Sequence, residues 1–244
     1  MPYKKLRIEV VNRVGYILLD AGSRLNKLSV TTIRELKRAF TQMEGDETAN
    51  VVVLSGYPGE SFAAGADIGQ MVNFSPGDAF HFSELGQSLF DQIESCSKPV
   101  ICALNGITMG GGCDLAMSCD IRIASDGMRI GHSGAKLGII TGFCGTHKLP
   151  HIVGKNFARE IFMTSEPYSS AEALRMGLVD RVHADDEFWP GAVKLAERIA
   201  AHPLHTLSAA KRLINAAEDT DLRSGCLLER EMATHINSQH SAQL

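Results

Sequence analysis

The chain has 244 residues, of which 44% are hydrophobic and 21% are charged, and its formal net charge is −4. This length and apolar content suffice for one large core with a smaller appended region, and the slight acidic excess argues against a nucleic-acid-binding surface. Six cysteines without a CxxC pair are typical of reduced cytoplasmic thiols. The sequence contains no run of about 18 apolar residues, so we predict no membrane-spanning helix. We also expect no signal peptide.

The first elements are a hairpin and a helix. Alternating apolar residues predict paired strands over residues 6–11 and 15–19, joined around Asn12 and Arg13. A helix follows, with Ser29 as its N-cap. Its apolar positions at helical spacing are Ile33, Leu36, Phe40 and Met43.

The rest of the chain continues to alternate between strands and helices, which predicts the α/β class. Strands are predicted over residues 51–55, 100–104, 121–124, 128–131 and 178–183, the third and fourth of them paired with each other. A helix is expected from about residue 78 to 95, after a mobile stretch at residues 75–77. From residue 188 the pattern is helical. We therefore divide the chain into a core over residues 1–187 and a C-terminal helical region over residues 188–244.

Two glycine-rich segments stand where a strand gives way to a helix. They are residues 62–68 (FAAGADI) and residues 109–115 (MGGGCDL). The first N–H groups of a helix lack internal partners and carry the positive end of its dipole. The N–H groups of Ala66 and Gly111 are therefore candidate donors to a carbonyl oxygen that gains negative charge, each worth about 2.7–4 kcal/mol. Glycines beside Gly111, among them Gly110, let the backbone approach a substrate closely.

Asp114 is the candidate catalytic carboxylate. It follows Gly111 by three positions, which places both on one face of a helix. One interpretation is a carboxylate that only stabilises the helix dipole, by about 0.3–1 kcal/mol. We favour the other, a general acid/base, because a titratable group one turn from an oxyanion donor is well placed for proton transfer.

Other chemistries fit the same residues less well. Leu115 stands where a dinucleotide-binding GxGxxG would need its third glycine, and the chain has neither a GxSxG nor a GxxxxGK[ST] motif. Cys113 is a possible nucleophile at a helix start, but a small packing residue is the favoured interpretation. His147 and His151 have the spacing of a helical metal pair, yet Pro150 between them argues against one, so we expect no metal.

At these residues the chain resembles the crotonase superfamily, also called the enoyl-CoA hydratase/isomerase family. Two glycine segments in this order and spacing carry the resemblance, which extends over nearly the whole chain. It includes Leu25-Asn26, Asn105-Gly106, residues 119–124, Leu137-Gly138 and residues 173–179. The resemblance implies a spiral of ββα units, assembled into a homotrimer or a dimer of trimers, with the C-terminal helices at subunit interfaces.

The resemblance also implies the ligand. It is an acyl-CoA thioester whose carbonyl lies between the N–H groups of Ala66 and Gly111, and no cofactor is implied because CoA is part of the substrate. Arg24 and Lys27 are candidates to bind CoA, or else they are solvated loop cations. The substrate-binding residues that we expect are Arg24, Leu25, Ala64, Asp67, Ile68, Gly110 and Gly134.

Two positions depart from the family pattern. Asp114 stands where the hydratases commonly carry a glutamate, and Gly134 matches their second catalytic glutamate, so one carboxylate remains. His132 is a possible auxiliary group, although a loop histidine that hydrogen-bonds locally is the favoured interpretation. Lys136 is a weaker candidate, because a lysine with an ordinary pKa is a poor base.

We expect an enzyme that adds water to an α,β-unsaturated acyl-CoA, in fatty acid metabolism, with Asp114 as acid/base. Two alternatives remain open. One is an enoyl-CoA isomerase or another enzyme that acts through a thioester enolate, for which one base suffices. The other is a catalytically weak acyl-CoA-binding or scaffold protein, which Gly134 suggests. No nucleic-acid or membrane partner is expected.

Overall fold

The computed structural model describes residues 2–22 and 24–241, with side chains described up to residue 238. The strands are β1 (Leu6–Val11), β2 (Val14–Leu19), β3 (Val51–Ser55), β4 (Ser61–Ala63), β5 (Val100–Leu104), β6 (Ile107–Met109), β7 (Ile121–Ser125), β8 (Arg129–Gly131), β9 (Tyr168–Ser169) and β10 (Arg181–His183). The helices are α1 (Val30–Gly45), α2 (Ile68–Met71), α3 (Pro76–Ser95), α4 (Gly111–Met117), α5 (Gly134–Leu137), α6 (Gly145–Thr164), α7 (Ser170–Met176), α8 (Asp185–Ala200), α9 (Leu204–Ala216) and α10 (Leu222–Ser241).

The strands form a large and a small sheet. The large sheet has the order β1-β2-β3-β5-β7-β10 and is parallel except for the β1–β2 hairpin. The small sheet has the order β4-β6-β8-β9, with β9 antiparallel. Three times in succession, a strand of the large sheet leads into one of the small sheet and then into a helix: β3-β4-α2, β5-β6-α4 and β7-β8-α5. The predicted α/β class and its ββα spiral are thus present.

Both faces of the large sheet are buried, as parallel strands require. Alternate residues of each strand point to opposite sides. Val52 and Cys102 belong to the main core, which α1, α3 and α6 cover, whereas Val53 and Ile101 pack against Phe188 of α8. The strands that lead to β4, β6 and the glycine segments after them therefore belong to a sheet that is packed on both faces.

The hairpin and α1 confirm the sequence predictions. Asn12 and Arg13 both have positive φ, 50° and 66°, as a two-residue hairpin turn of the primed type requires. The Ser29 side chain accepts a hydrogen bond from the Thr32 N–H and caps α1. All four predicted apolar positions of this helix are buried.

Three local predictions were wrong. Residues 121–124 and 128–131 do not pair with each other, because β7 joins β5 and β10 in the large sheet while β8 joins β6 in the small one. The stretch at residues 75–77 begins α3, where Ser75 and Asp78 form a capping box. Pro150 was expected to make a regular helical turn between His147 and His151 doubtful, but it lies within α6, and the kink in that helix lies at Gly154 (φ 76°).

The last strand is also shorter than predicted. Gly177 ends α7 in a left-handed conformation, and the Leu178 N–H then donates to the Ala173 carbonyl (2.8 Å). This turn takes up the first residues of the predicted strand, so β10 begins only at Arg181.

The C-terminal helices pack in two ways. We call α9 and α10 the outer pair. Helix α8 packs on the large sheet, whereas α10 packs on α9. On the outer pair, Leu207 and Leu213 are half-buried and Leu228 is 43% exposed. The predicted subunit interface would cover these residues, and it stays a prediction. No helix within residues 2–22 and 24–241 has the length and apolarity needed to cross a bilayer.

Candidate active site

The first glycine segment turns its backbone towards the second. Gly65 has φ +90°, and its carbonyl accepts from the Leu28 N–H (2.9 Å), while the Asp67 N–H donates back to the Leu28 carbonyl (3.3 Å). These two bonds flank Ala66, so its own N–H points to the other side. A Cβ added at Gly65 would lie 2.9 Å from the Met109 carbonyl oxygen. The close approach of the two segments therefore requires glycine at position 65.

The second glycine segment presents the N–H of Gly111. Gly110 has φ +54° and donates its own N–H to the Gly131 carbonyl (2.9 Å), and Gly111 begins α4, so its N–H has no intrahelical acceptor. An ideal Cβ on Gly111 would lie 3.5 Å from the Ala66 nitrogen. The two nitrogens are therefore at most about 6 Å apart, since N and Cβ of one residue are about 2.5 Å apart. This separation suits two donors to one oxygen.

Asp114 lies one turn along α4 from Gly111 and is completely buried. Its Oδ1 lies 2.8 Å from Nε2 of His132, and its Oδ2 accepts from the Thr141 hydroxyl (2.5 Å). The Thr141 oxygen in turn accepts from the Phe143 N–H (3.1 Å), which fixes its proton towards the carboxylate. Asp114 thus has a hydrogen-bond partner on each oxygen, and neither partner is a lysine or an arginine.

His132 does not hydrogen-bond locally, so that prediction was wrong. It follows β8 directly, is 2% exposed and reaches Asp114 from 18 positions away. The ring of Phe162 lies against its imidazole, with 4.3 Å between ring centroids. The strand and the aromatic ring together fix the orientation of this side chain.

The start of α6 and an aromatic cluster enclose the carboxylate and the Gly111 donor. A Cβ at Gly145 would lie 2.0 Å from Oδ1 of Asp114, and one at Gly111 would lie 2.9 Å from the ring of Phe143. Phe143 packs in turn on Phe82 and Phe90, with centroids 5.2 Å and 5.6 Å away. Glycine at positions 111 and 145 is therefore needed for this packing.

Gly134 begins α5 in the loop that follows His132. A Cβ there would lie 2.7 Å from the Ile139 carbonyl oxygen, closer than real Cβ atoms approach backbone. A glutamate at this position would need the loop to shift. In the loop as it stands, position 134 therefore has no room for a side chain.

The remaining predicted site residues lie near the first glycine segment or on the surface. Arg24 forms an exposed ion pair with Glu60 (2.5 Å), and Lys27 forms one with Asp67 (3.3 Å). Leu25 and Ala64 are half-buried, and Ile68 is 39% exposed. The site at Asp114 has none of these side chains among its hydrogen-bond partners. Lys136 pairs with Glu166 at the surface (2.7 Å), away from the carboxylate.

Sequence reasoning missed Thr141 and Phe162. Thr141 lies in the loop before α6, and its signal is a hydroxyl within an otherwise apolar and glycine-rich run. Phe162 lies in α6 and had no local signal. Asn26, named only as part of the resemblance, donates to the Ser61 and Leu19 carbonyls (2.9 and 3.3 Å) and so holds β4, which carries the Ala66 segment.

Two other candidates from the sequence are the Cys113 nucleophile and a metal site. Cys113 is fully buried, and burial raises the pKa of its thiol well above the ordinary value, which makes it a packing residue. No cluster of three or more potential metal ligands occurs among the residues that the structure describes.

Comparison with known proteins agrees with the geometry. Residues 9–243 match the family described as enoyl-CoA hydratase/isomerase. The crotonyl-CoA hydratase of Syntrophomonas wolfei is 35% identical over 95% of this chain and 89% of its own length. The short-chain-enoyl-CoA hydratase of Clostridium acetobutylicum is 34% identical over 95% and 88%.

Solved structures show the same fold. An enoyl-CoA hydratase from Thermoplasma volcanium has a TM-score of 0.91 and 34% identity, over 96% of this chain and 93% of that one. One from Bacillus anthracis has a TM-score of 0.90 and 30% identity, over 94% and 90%. The chain belongs to the enoyl-CoA hydratase/isomerase family, and the predicted crotonase fold is confirmed.

Proposed function

We propose that this protein is an enoyl-CoA hydratase that adds water across the double bond of an α,β-unsaturated acyl-CoA thioester. The names of its relatives support this reaction, since they are crotonyl-CoA and short-chain-enoyl-CoA hydratases. The observation that carries the proposal is the position of Asp114, one helical turn from Gly111, whose backbone lies beside the Ala66 nitrogen. The hydrogen-bonded Asp114–His132 pair, a candidate proton-transfer unit, and two candidate oxyanion donors meet there.

The reaction follows from these groups. The oxygen of a water molecule bonds to C3 of the substrate as its proton leaves to the acid/base unit around Asp114. The electron pair of the double bond moves towards the thioester, and the N–H groups of Ala66 and Gly111 hold the negative charge on its oxygen. The proton then returns to C2 as the enolate collapses. Side chains and backbone supply every step, and we propose that no cofactor is needed.

Isomerisation of the double bond is the second candidate, and Gly134 is the observation that favours it. Moving a double bond needs one group to take a proton from one carbon and return it to another, with no water to activate. A site with one carboxylate meets that requirement. A catalytically weak acyl-CoA-binding protein is the third candidate and rests on the same glycine.

The reaction in heavy-oxygen water separates these candidates. We expect crotonyl-CoA to give a hydroxyacyl-CoA that carries one solvent ¹⁸O, measured by mass spectrometry. A rearranged product without ¹⁸O, formed from an acyl-CoA with a suitably placed double bond, would identify an isomerase. Absence of turnover on a panel of enoyl-CoA esters, with binding retained, would identify the binding protein.

We further propose a homotrimer or a dimer of trimers in the cytoplasm. The support is the partly exposed apolar side of α9 and α10, which includes Leu228 and Ile214, the latter 70% exposed. Sedimentation at micromolar concentration should give three or six times the mass of one chain. A stable monomer would contradict this assembly.

A further inference from the structure

The two members of the Asp114–His132 pair differ in what they can reach. Asp114 has no exposed surface and each of its oxygens already has a partner. His132 keeps 3% of its side chain exposed, and within the described residues its Nδ1 has no hydrogen-bond partner. Within the described residues, the imidazole is therefore the member of the pair that has a nitrogen without a hydrogen-bond partner, and it is the member with some exposed surface.

We propose that His132 is the catalytic acid/base, and that Asp114 is a positioning residue that orients and electrostatically supports it. This inference rests on the proposed function, since it names the group that moves the proton in that reaction. It assigns to a histidine the role that the missing carboxylate at Gly134 would otherwise share.

The backbone places His132 beside the oxyanion donors. Strands β6 and β8 are parallel, with Met109 opposite Gly131, and the Gly110 N–H donates to the Gly131 carbonyl (2.9 Å). The residue after Gly131 is therefore held next to the chain that leads into Gly111. His132 is also the only titratable side chain among residues 132–135, which read His-Ser-Gly-Ala.

The ring has one orientation available. Its Nε2 is tied to Asp114, and Phe162 covers one of its faces. A carboxylate that accepts from one imidazole nitrogen fixes the tautomer and leaves the other nitrogen with its lone pair, which is the arrangement of a histidine general base. Thr141 holds the second oxygen of Asp114 and so prevents the carboxylate from turning away.

The step balances with this one group. Nδ1 of His132 takes a proton from water as the water oxygen bonds to C3, and the double-bond electrons become the enolate. The imidazolium, stabilised by Asp114, then gives its proton to C2, and the imidazole is neutral again. Because one group on one side of the substrate acts twice, hydrogen and hydroxyl add to the same face.

The test compares His132→Gln with the wild type on crotonyl-CoA. A glutamine amide can still donate to Asp114 from about the position of Nε2, but it cannot carry a proton. We expect kcat to fall by about 10² to 10⁴ with KM nearly unchanged. The control is His151→Gln, an exposed histidine on α6, which should leave kcat unchanged. A His132→Gln variant that keeps more than a tenth of the wild-type kcat would overturn the proposal.

Chemical rescue separates proton transfer from a structural role. In His132→Ala, imidazole added to the assay should restore kcat at least tenfold, because it can occupy the vacated space and carry the proton. Loss of activity without rescue would overturn the assignment. A wild-type protein that hydrates no enoyl-CoA ester would overturn the proposed function itself, and this inference with it.

A measurement on the wild type covers the case in which neither variant folds. The ¹⁵N signals of the His132 ring are recorded with and without butyryl-CoA, which binds but has no double bond to hydrate. We expect the Nδ1 signal to shift on binding while the Nε2 signal keeps its hydrogen-bonded value. An Nδ1 signal that does not move would place this nitrogen away from the substrate and overturn the proposal.

Discussion

Asp114 and Asp120 lie six positions apart in the chain, and both carboxylates are largely shielded from water. Their hydrogen-bond partners differ. The Asp120 carboxylate accepts from Nζ of Lys211 (2.9 Å) and from the Val100 N–H (2.6 Å). Lys211 also donates to the Ile93 and Lys98 carbonyls. The Asp114 carboxylate is instead hydrogen-bonded to an imidazole and a hydroxyl.

The difference shows how the neighbours of a buried carboxylate decide its role. Each of the three ammonium protons of Lys211 has an acceptor, so the Lys211 ammonium links α9 to α3 and to the ends of the large sheet. None of its protons is available for a reaction. Burial raises the pKa of the Asp120 carboxyl, and the Lys211 ammonium offsets part of that rise. The partners of Asp114 are an imidazole and a hydroxyl, and an imidazole can both take up and release a proton, which suits a pair that takes part in proton transfer.

Asp114→Asn should produce the largest effect, and it falls on activity. We expect kcat to drop by about 10² to 10⁴, because the amide no longer supports a positive charge on His132. The affinity for a CoA ester should change little, since amide and carboxylate have similar size. Steady-state kinetics and ligand titration check this. Near-normal turnover would show that the proton is moved elsewhere.

Asp120→Asn should show the opposite pattern. It leaves the Lys211 ammonium buried without its carboxylate. We expect the free energy of unfolding to fall by about 3 kcal/mol. This value is at the low end for a broken buried ion pair, because Asp120 is partly exposed. The kcat of the folded protein should stay within a factor of about two, an expectation from the separate locations of the two groups. Denaturant unfolding measures the loss, with the exposed Asp219→Asn as control. Equal stability of Asp120→Asn and Asp219→Asn would contradict the structural role that we give to Asp120.

The sequence predicted the elements better than the contacts between them. The hairpin turn at Asn12 and the cap at Ser29 depend on neighbouring residues, and both were predicted correctly. The supposed pairing of residues 121–124 with 128–131 was wrong, because strand partners are chosen across the whole fold.

The site shows the same limit. The positions of Ala66, Gly111 and Asp114 follow from glycine turns and helix geometry, which are local. The contacts of Asp114 with His132 and Thr141 span 18 and 27 positions and depend on how β8 and the loop before α6 pack on α4. No local pattern encodes that packing, and so the histidine was given a local hydrogen bond.

Gly145→Ala tests how closely the surroundings of Asp114 are packed. The new Cβ would lie 2.0 Å from Oδ1, so the carboxylate or the start of α6 must move. We expect kcat to fall about 10²-fold, the cost of a displacement of about 1 Å at a catalytic group. Overpacking should also reduce the free energy of unfolding by about 1–3 kcal/mol.

Its matched control is Gly225→Ala in α10. A Cβ there meets no atom within 4 Å, and alanine should stabilise the helix by up to about 1 kcal/mol without changing kcat. If both variants keep full activity, the carboxylate tolerates displacement and cannot be held for catalysis in the way that we describe.

Among the variants that disturb the site of Asp114, Thr141→Val should have the smallest effect on kcat, because it removes one of the two hydrogen bonds of Asp114 and keeps the shape of the side chain. A hydrogen bond to a charged group contributes about 1.5–3 kcal/mol, so we expect kcat to fall about tenfold to a hundredfold. Thr141→Ser restores the hydroxyl and should recover most of the activity. If valine and serine give the same kcat, the Thr141 bond does not help to orient Asp114, and His132 alone would have to hold the carboxylate in place.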